Sequence, residues 1–600
     1  MGKRKLLIAA FILLLLGAAI LFASQLRSTS GTAPRGFVTT RGARFFIDGR
    51  PFRFAGANVS VMFKDEDRAR MPETLKAAAS DGLKVVRVWA YGEGGEGDVG
   101  PVGGDRHDWP RTHPFRFKPG EWNEEAFVHL DKVLAEAERN GLRVQLCLVN
   151  WWRDTGGVTQ YLRWAGITDA ADERQPFGIN VDRAMLFYTN ETARKLFREH
   201  VEKIVTRRNT VTGRLYREDP TIMSYELMNE AQAPTNRWHE RRAWVSEMSA
   251  FIKSLDPNHL VTPGTWGYRN SWERRAWLEE HSLPSIDFCD VHNYPRDDLD
   301  SFVDSPEAMR RFIDNRAAAS YSIKKPLVMG EFGMVPEGYK GFSQAEWFRA
   351  YLESSARAGI GGAIYWILTP DPKRGYGVSY TTTRDDALRA EIKRGAALFQ
   401  ELQYDWPPPP RLLDASRHLI PHQFAFTRPI GDESLKPEAS PLQDGGVLYT
   451  FKPEQAVVGR FEKLGGGVGY IWGYGMGFFE YVVPPSENGG RAKKIIVRAH
   501  VQPVVPHDVQ PAGISTEVTL FINGRNCGSR TVPVEAKGQA EVREWQVDSW
   551  LVMLSASRSR PIHIRLAVTP EAKNPFGLNI SNWPEGYDSR GARPIEVEIR

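Results

Sequence analysis

The sequence predicts an α/β protein: a (β/α)8 TIM barrel over residues 44–405, then an all-β sandwich over 441–600. Three observations predict it. Apolar strand patterns alternate with amphipathic helical patterns about eight times over about 360 residues, the mark of a closed parallel sheet. A proline-rich stretch then interrupts the chain, with WPPPP at 406–410 and further prolines at 421, 429, 437 and 441; residues 406–440 read as a stiff linker. Beyond it helical periodicity stops and only short alternating runs remain. At 600 residues the chain also exceeds what one hydrophobic core supports.

The N-terminus reads as an export segment. Lys3, Arg4 and Lys5 precede an unbroken apolar run over 6–23, followed by Ser24, Gln25, Leu26 and Arg27. The run is just long enough to span a membrane. Leu21 or Phe22 stands where a small residue should precede cleavage, and no cysteine follows for a lipid anchor. Residues 1–26 are expected to be an uncleaved anchor or a cleaved signal peptide, with the remainder outside the cytoplasm, and 27–43 a polar tether. Asp48-Gly49 between apolar runs predicts a hairpin, whose second strand continues into Ala55, Gly56, Ala57 and Asn58.

Strands are then predicted at 84–89, 144–149, 222–230, 260–262, 287–292, 327–331 and 362–366, with helices at 72–80, 124–139, 192–205, 242–255, 306–323, 344–358 and 386–402. The second helix shows the reason: Phe127, Leu130, Val133, Leu134 and Ala137 recur at helical spacing. A doubly wound open sheet is the alternative, but it needs a glycine-rich loop after its first strand, and NVSVMF at 58–63 is not one. In the C-terminal part, runs at 447–451, 478–483, 494–499, 517–522, 544–547, 563–568 and 595–599 predict strands. That part is either carbohydrate-binding, with Tyr470, Trp472 and Tyr474 stacking on sugar, or structural. Gly473, Gly475 and Gly477 precede no helix and so form no nucleotide loop.

Composition excludes several classes. The net charge of +5 is small and the basic residues are interspersed with acidic ones, which leaves no nucleic-acid footprint. Three cysteines without short spacing argue against a disulfide framework or a metal knuckle, and Cys147 and Cys289 are expected as buried thiols. No HExxH or histidine-rich spacing is present, so neither metal nor cofactor is expected, and the chain is expected to be a monomer.

Barrel enzymes act at the C-terminal ends of their strands. Those ends carry Asn58, Arg87 and Trp89, Asn150 and Trp151, Asn229 and Glu230, Trp266, His292 and Tyr294, Glu331, and Trp366. Two acids, one arginine, a histidine, a tyrosine and several tryptophans suit a neutral polyhydroxyl ligand. The acids end two strands of one design, TIMSYELMNE at 221–230 and KPLVMGEFG at 325–333. Paired carboxyls so delivered equip a protein for glycoside hydrolysis. Other readings stay open: His292 as a structural imidazole, Arg87 as a partner for Glu226 alone, Trp366 as core.

Longer stretches carry a resemblance. FKPGEWNE at 117–124, LVNWW at 148–152, GGVTQYLRW at 156–164, RNTVTG at 208–213, DPTI at 219–222, ELMNE at 226–230, HNYP at 292–295 and GEFG at 330–333 follow one consistent order. They resemble the endo-β-1,4-mannanases of glycoside hydrolase family 5, retaining clan A barrels. The resemblance implies Glu230 as general acid/base and Glu331 as nucleophile. It places Arg87, Trp89, Asn150, Trp151, Asn229, His292, Tyr294 and Trp366 on a β-linked polysaccharide or oligosaccharide, Asn229 at the 2-hydroxyl. In those roles Glu230 must hold a proton, which ionised Glu331 nearby should supply by raising its pKa. Strict strand alternation would turn Asn229 away from the face Glu230 uses, so a bulge or kink is required. Ala231-Gln232 stands where the family usually carries Pro-Arg, taking away a contact on the leaving-group side. Asn140 replaces a common histidine, and Trp151-Trp152-Arg153 a more polar Asn-Trp-Asp.

Overall fold

A computed structural model of the chain describes residues 35–404 except 63, 95–112, 168–180, 234–236, 269–270, 296–302, 304 and 373–374. Beyond 404 it describes 426–427, 433–459, 461–463, 469–474, 477–485, 492–503, 515–533, 541–548, 552, 556, 560–568, 577–581 and 595–600. The export segment, the 406–410 prolines and most of the long loop at 91–122 lie outside the described residues. Among those described, no helix is long and apolar enough to cross a membrane.

The barrel strands are β1 (Phe54–Val59), β2 (Val85–Trp89), β3 (Arg143–Cys147), β4 (Ile222–Glu226), β5 (Leu260–Thr262), β6 (Cys289–Asn293), β7 (Leu327–Phe332) and β8 (Gly362–Thr369). Their lateral order is β5-β4-β3-β2-β1-β8-β7-β6, all parallel. Between β5 and β6 the ring is bridged by Asp287 N–H to Val261 O at 2.8 Å and His292 N–H to Trp266 O at 3.0 Å. Strands covered on both faces should be apolar throughout, and every residue of β1, β2, β4, β5, β6 and β7 is buried.

A helix follows each strand: α1 (Met71–Ser80), α2 (Glu124–Arg139), α3 (Glu191–Val205), α4 (Trp238–Leu255), α5 (Ser271–His281), α6 (Pro306–Ser322), α7 (Gln344–Arg357) and α8 (Asp386–Glu401). Local chemistry starts several of them. Ser305 caps α6 ahead of Pro306, and Ser343 with Glu346 forms a capping box at α7. Apart from single-turn pieces such as Asp65–Ala69, Val181–Ala184 and Leu186–Thr189, two described helices were not expected. In α5 (SWERRAWLEEH) the apolar stripe is too thin to read. The short helix Gly157–Trp164 opens on two left-handed glycines, Gly156 (φ 89°) and Gly157 (φ 53°), and so looks like loop. At Gly156 a side chain is impossible, since a Cβ would sit 2.2 Å from the Glu93 carbonyl oxygen.

The predicted hairpin forms, with Asp48 (φ 49°) and Gly49 (φ 78°) both left-handed as a two-residue primed turn requires. It gains a third strand: Val38–Arg41 pairs antiparallel with Arg44–Ile47. The expected tether over 27–43 is therefore too long, because Val38 already lies in the core. Phe45 packs on Phe54 (6.3 Å) and Phe288 (5.5 Å). With Val85, Met223, Leu260, Val328 and Ile364 these rings stop the N-terminal end of the barrel. Beside them, buried Arg53 donates to the carbonyls of Ala356 (2.5 Å), Ile360 (3.1 Å) and Leu402 (2.7 Å), tying the start of β1 to the ends of α7 and α8.

In the C-terminal part all seven predicted strands are present, with further ones at Gly469–Tyr474, Arg525–Pro533 and Gly577–Ser581. They form two antiparallel sheets that share one core, in which Phe479, Leu520 and Ile564 of one meet Phe451, Val497 and Trp545 of the other. Tyr470, Trp472 and Tyr474 lie on one of these strands, but their side chains are outside what is described.

Candidate active site

At the C-terminal mouth of the barrel, side chains from six of the eight strands or the turns that end them converge on Glu230 and Glu331. Arg87, on β2 and fully buried, is the hub. Its Nε and Nη2 clasp both oxygens of Glu226 at 2.6 Å. Nη1 donates to Glu331 (2.6 Å) and Asn58 (2.8 Å), and Nη2 also to Asn229 (2.7 Å). All five guanidinium N–H groups are thereby engaged, which a buried cation needs in order to offset lost hydration. Glu226 is in turn held by Gln145 Nε2 at 2.8 Å. Its carboxyl is pushed up by burial but ends below its ordinary value because of Arg87. Pairing with Glu226 and placement at the site are thus both true of Arg87.

β4 ends at Glu226, four residues short of the expected end. Asn229 still pairs across to Asn150 as an isolated bridge, and Ala231 N–H reaches Gly264 O at 3.0 Å. Between them Glu230 adopts φ 55°, a left-handed backbone that breaks strand alternation. Asn229 and Glu230 thereby come to one site, as the kink argument requires. Space for this turn exists because residue 264 is glycine: at φ 82°, a Cβ there would lie 1.7 Å from Met228 O.

His292 and Glu331 stand side by side on β6 and β7, where the register slips between Val291 and His292. The imidazole Nδ1 is 2.9 Å from Glu230 Oε1 and 3.7 Å from Glu331 Oε2. One oxygen of each glutamate and one His292 nitrogen lie within 4.8 Å of one another. By count such a trio could hold a cation. The permanent charge of Arg87 against it, and donors on both carboxylates, oppose that. Tyr294 Oη donates to Glu331 Oε2 at 2.6 Å, and Trp152 Nε1 to Glu230 Oε2 at 2.5 Å.

The electrostatics reverse one expectation. Glu230 was expected to be raised by Glu331. Burial does push it up, but the hydrogen bond and charge of His292 and the Trp152 N–H outweigh burial, and its pKa is lowered. Glu331 is the carboxyl that is raised, by burial first and the Glu230 charge as well, against His292, Arg87 and Tyr294. His292 is raised too: burial opposes its charge, but Glu331 and Glu230 on either side favour the imidazolium. The three titrate as one coupled group.

Of the other candidates, Trp366 is half-buried and tilts against Trp89 at 5.1 Å, and Trp89, itself buried, stacks on Tyr91 at 5.1 Å. Asn150 is buried behind Asn229, whose Nδ2 donates to it at 2.9 Å. Trp151 is not at the mouth: it is fully buried and stacked on Tyr188 at 5.9 Å. The chain turns at Asn150 into the short helix Arg153–Thr155, so it is the next tryptophan, Trp152, that reaches Glu230. Tyr376, beyond β8, was also missed. It packs edge-on to Tyr294 at 5.2 Å and is half-buried, as are Trp152, Trp266 and Trp366. Nothing in its surroundings, a turn after a strand, sets it apart in sequence. Cys147 and Cys289 are buried free thiols.

Comparison with known proteins agrees with this geometry. Residues 35–352 match the model of the GH family 5 beta-mannosidase-like family. Mannan endo-1,4-beta-mannosidase 5 of Solanum lycopersicum is 31% identical over 407 residues, covering 63% of this chain and 92% of its own length. Mannan endo-1,4-beta-mannosidase 1 of Oryza sativa subsp. japonica is 33% identical over 365 residues, covering 56% and 79%. The crystal structure of a glycoside hydrolase family 5 mannosidase from Rhizomucor miehei superposes with a TM-score of 0.52 at 25% identity, covering 62% of this chain and 99% of that one. The chain is a glycoside hydrolase and belongs to family 5, in its β-mannosidase-like branch.

Proposed function

We propose that the protein hydrolyses β-1,4-mannan or its oligosaccharides by a retaining double displacement, with Glu331 as nucleophile and Glu230 as acid/base. The observation that carries the reading is the approach of the two carboxylates to within 4.8 Å across His292. That approach, of one oxygen from each carboxyl, fits the short spacing of about 5–5.5 Å that direct attack uses better than the wider spacing of inversion. The relatives' names supply the sugar and linkage.

Glu331 attacks the anomeric carbon while Glu230 protonates the departing oxygen. Arg87 and Tyr294 each donate to Glu331, and both bonds are strongest to its anion, which is the attacking form. Asn229 stands beside them to meet the 2-hydroxyl, an interaction that strengthens as the ring approaches an oxocarbenium ion. The proton for the leaving group resides in the Glu230–His292 pair, joined at 2.9 Å. Water then cleaves the glycosyl-enzyme with Glu230 as base. Half-buried Trp366 offers a flat apolar face to the sugar. The apolar run at 6–23 after Lys3, Arg4 and Lys5 supports action outside the cytoplasm, secreted or tethered.

The test is a panel of β-linked polysaccharides given to wild type, Glu230→Ala and Glu331→Ala, with product anomers followed by NMR. Mannan cleavage with retained configuration, lost by at least about a thousandfold in Glu331→Ala, is expected. An inverted product, or full activity without Glu331, would overturn the mechanism; cleavage of another β-glycan in preference to mannan would overturn the substrate.

A further inference from the structure

From Arg87 and Asn229 a chain of hydrogen bonds runs back, behind the catalytic pair, to groups that the reaction does not touch. Arg87 Nη2 donates to Asn229 Oδ1 (2.7 Å), Asn229 Nδ2 to Asn150 Oδ1 (2.9 Å), and Asn150 Nδ2 to Asp154 Oδ1 (2.8 Å). Its two ends fix its polarity. A guanidinium can only donate, so Asn229 must turn its carbonyl to Arg87 and its NH2 to Asn150. Asn150 must then accept from Asn229 and donate onward, and a carboxyl stands where that donor needs an acceptor. Asn150 Oδ1 also receives the Trp152 backbone N–H at 3.2 Å, so the turn that carries Asp154 is built onto the same carboxamide. We propose that Asp154 is a positioning residue that acts through Asn150 to orient the Asn229 carboxamide toward the sugar.

The inference rests on the reading of Asn229 as the group that meets the 2-hydroxyl. Burial pushes the Asp154 carboxyl up to about 7, with Glu230 and Glu331 adding to the rise and its own backbone N–H and Asn150 opposing it. Either protonation state leaves an oxygen to accept from Asn150, so the arrangement does not depend on the charge. Without Asp154, the Asn150 amide has no partner on its outer side to hold its rotamer. Only the Trp152 backbone N–H then steadies the Asn150 carbonyl, Asn229 is held less firmly at that end, and misplacement of a reacting contact by about 1 Å costs up to about a hundredfold in rate.

The experiment is a double-mutant cycle in the full-length enzyme, with kcat and KM measured on β-1,4-mannan for Asp154→Ala, Asn229→Ala and the double variant. Asp154→Ala is expected to lower kcat about tenfold or more with KM within about twofold, and to cost less than about twofold once Asn229 is alanine. Equal losses in both backgrounds, or no loss from Asp154→Ala, would overturn the proposal. Full activity of Asn229→Ala would instead remove the sugar contact on which it rests. Should Asp154→Ala fail to fold, Asp154→Asn takes its place: it keeps an acceptor oxygen for Asn150 and is expected within about threefold of wild type. A loss as large as that of Asn229→Ala would refute the positioning role.

Discussion

Trp152 shows how a single indole bears on a buried carboxyl. Its N–H donates to one oxygen of Glu230 while His292 takes the other. Both bonds favour the carboxylate, and the acid role proposed for Glu230 needs the carboxylic acid. Trp152→Phe keeps the ring and removes the donor, so the Glu230 pKa should rise. The alkaline limb of kcat/KM, which on the proposed mechanism reports the protonated acid in the free enzyme, should then move to higher pH. A limb that stays put would mean that this bond is not made in solution. At this scale the sequence was legible where residue type limits the placement: Arg87, Glu230, Glu331 and Tyr294 meet at one mouth. It was not legible where neighbours compete. Trp151 and Trp152 look alike on paper, and only the turn beginning at Asn150 sends one into the core and the other to the acid.

The elements were legible in their interiors and less so at their ends. α2 has the predicted limits because its apolar face is regular, and β4 stops early because Glu230 leaves the strand conformation. That departure depends on Gly264 across the sheet, whose missing Cβ makes room for Met228 O and, at 2.7 Å, Glu226 Oε1. Gly264→Ala should therefore lower stability by about 2 kcal/mol or more and lower kcat further than the stability loss explains, since Glu230 sits on the displaced backbone. A urea unfolding curve beside kcat on mannan checks both. An alanine variant of wild-type stability and rate would show that the turn tolerates the side chain. The short helix Gly157–Trp164 was hidden for the opposite reason: glycines that look like loop are here the opening of a helix.

At the scale of the molecule, the main barrel core and the core of the C-terminal sheets share no described residue, which explains why the change of composition after 402 was readable as a change of architecture. What periodicity could not foretell was buried charge. Glu93, 1% exposed, accepts from Gly157 N–H at 3.0 Å, and burial pushes its carboxyl up to about 8, against that bond, the Gly92 N–H and Arg116. The folded pKa is raised, so the folded state holds a proton that the unfolded chain releases near its ordinary 4.5. Stability from this group is full below about 4.5 and is lost as pH climbs to about 8, on the order of a few kcal/mol. Glu93→Gln should flatten that decline. Thermal midpoints measured between pH 5 and pH 8 test it, and equal slopes in the two proteins would place the decline elsewhere.

Arg53 adds a matter of timing. Its three carbonyl acceptors lie 303 to 349 residues further along the chain. During synthesis, which runs at about 5–20 residues per second, the first barrel strand therefore waits on the order of half a minute before its guanidinium meets them. The staves cannot be hooped until the last barrel helix has been made, and throughout that wait the apolar strands stay open to pairing with strangers.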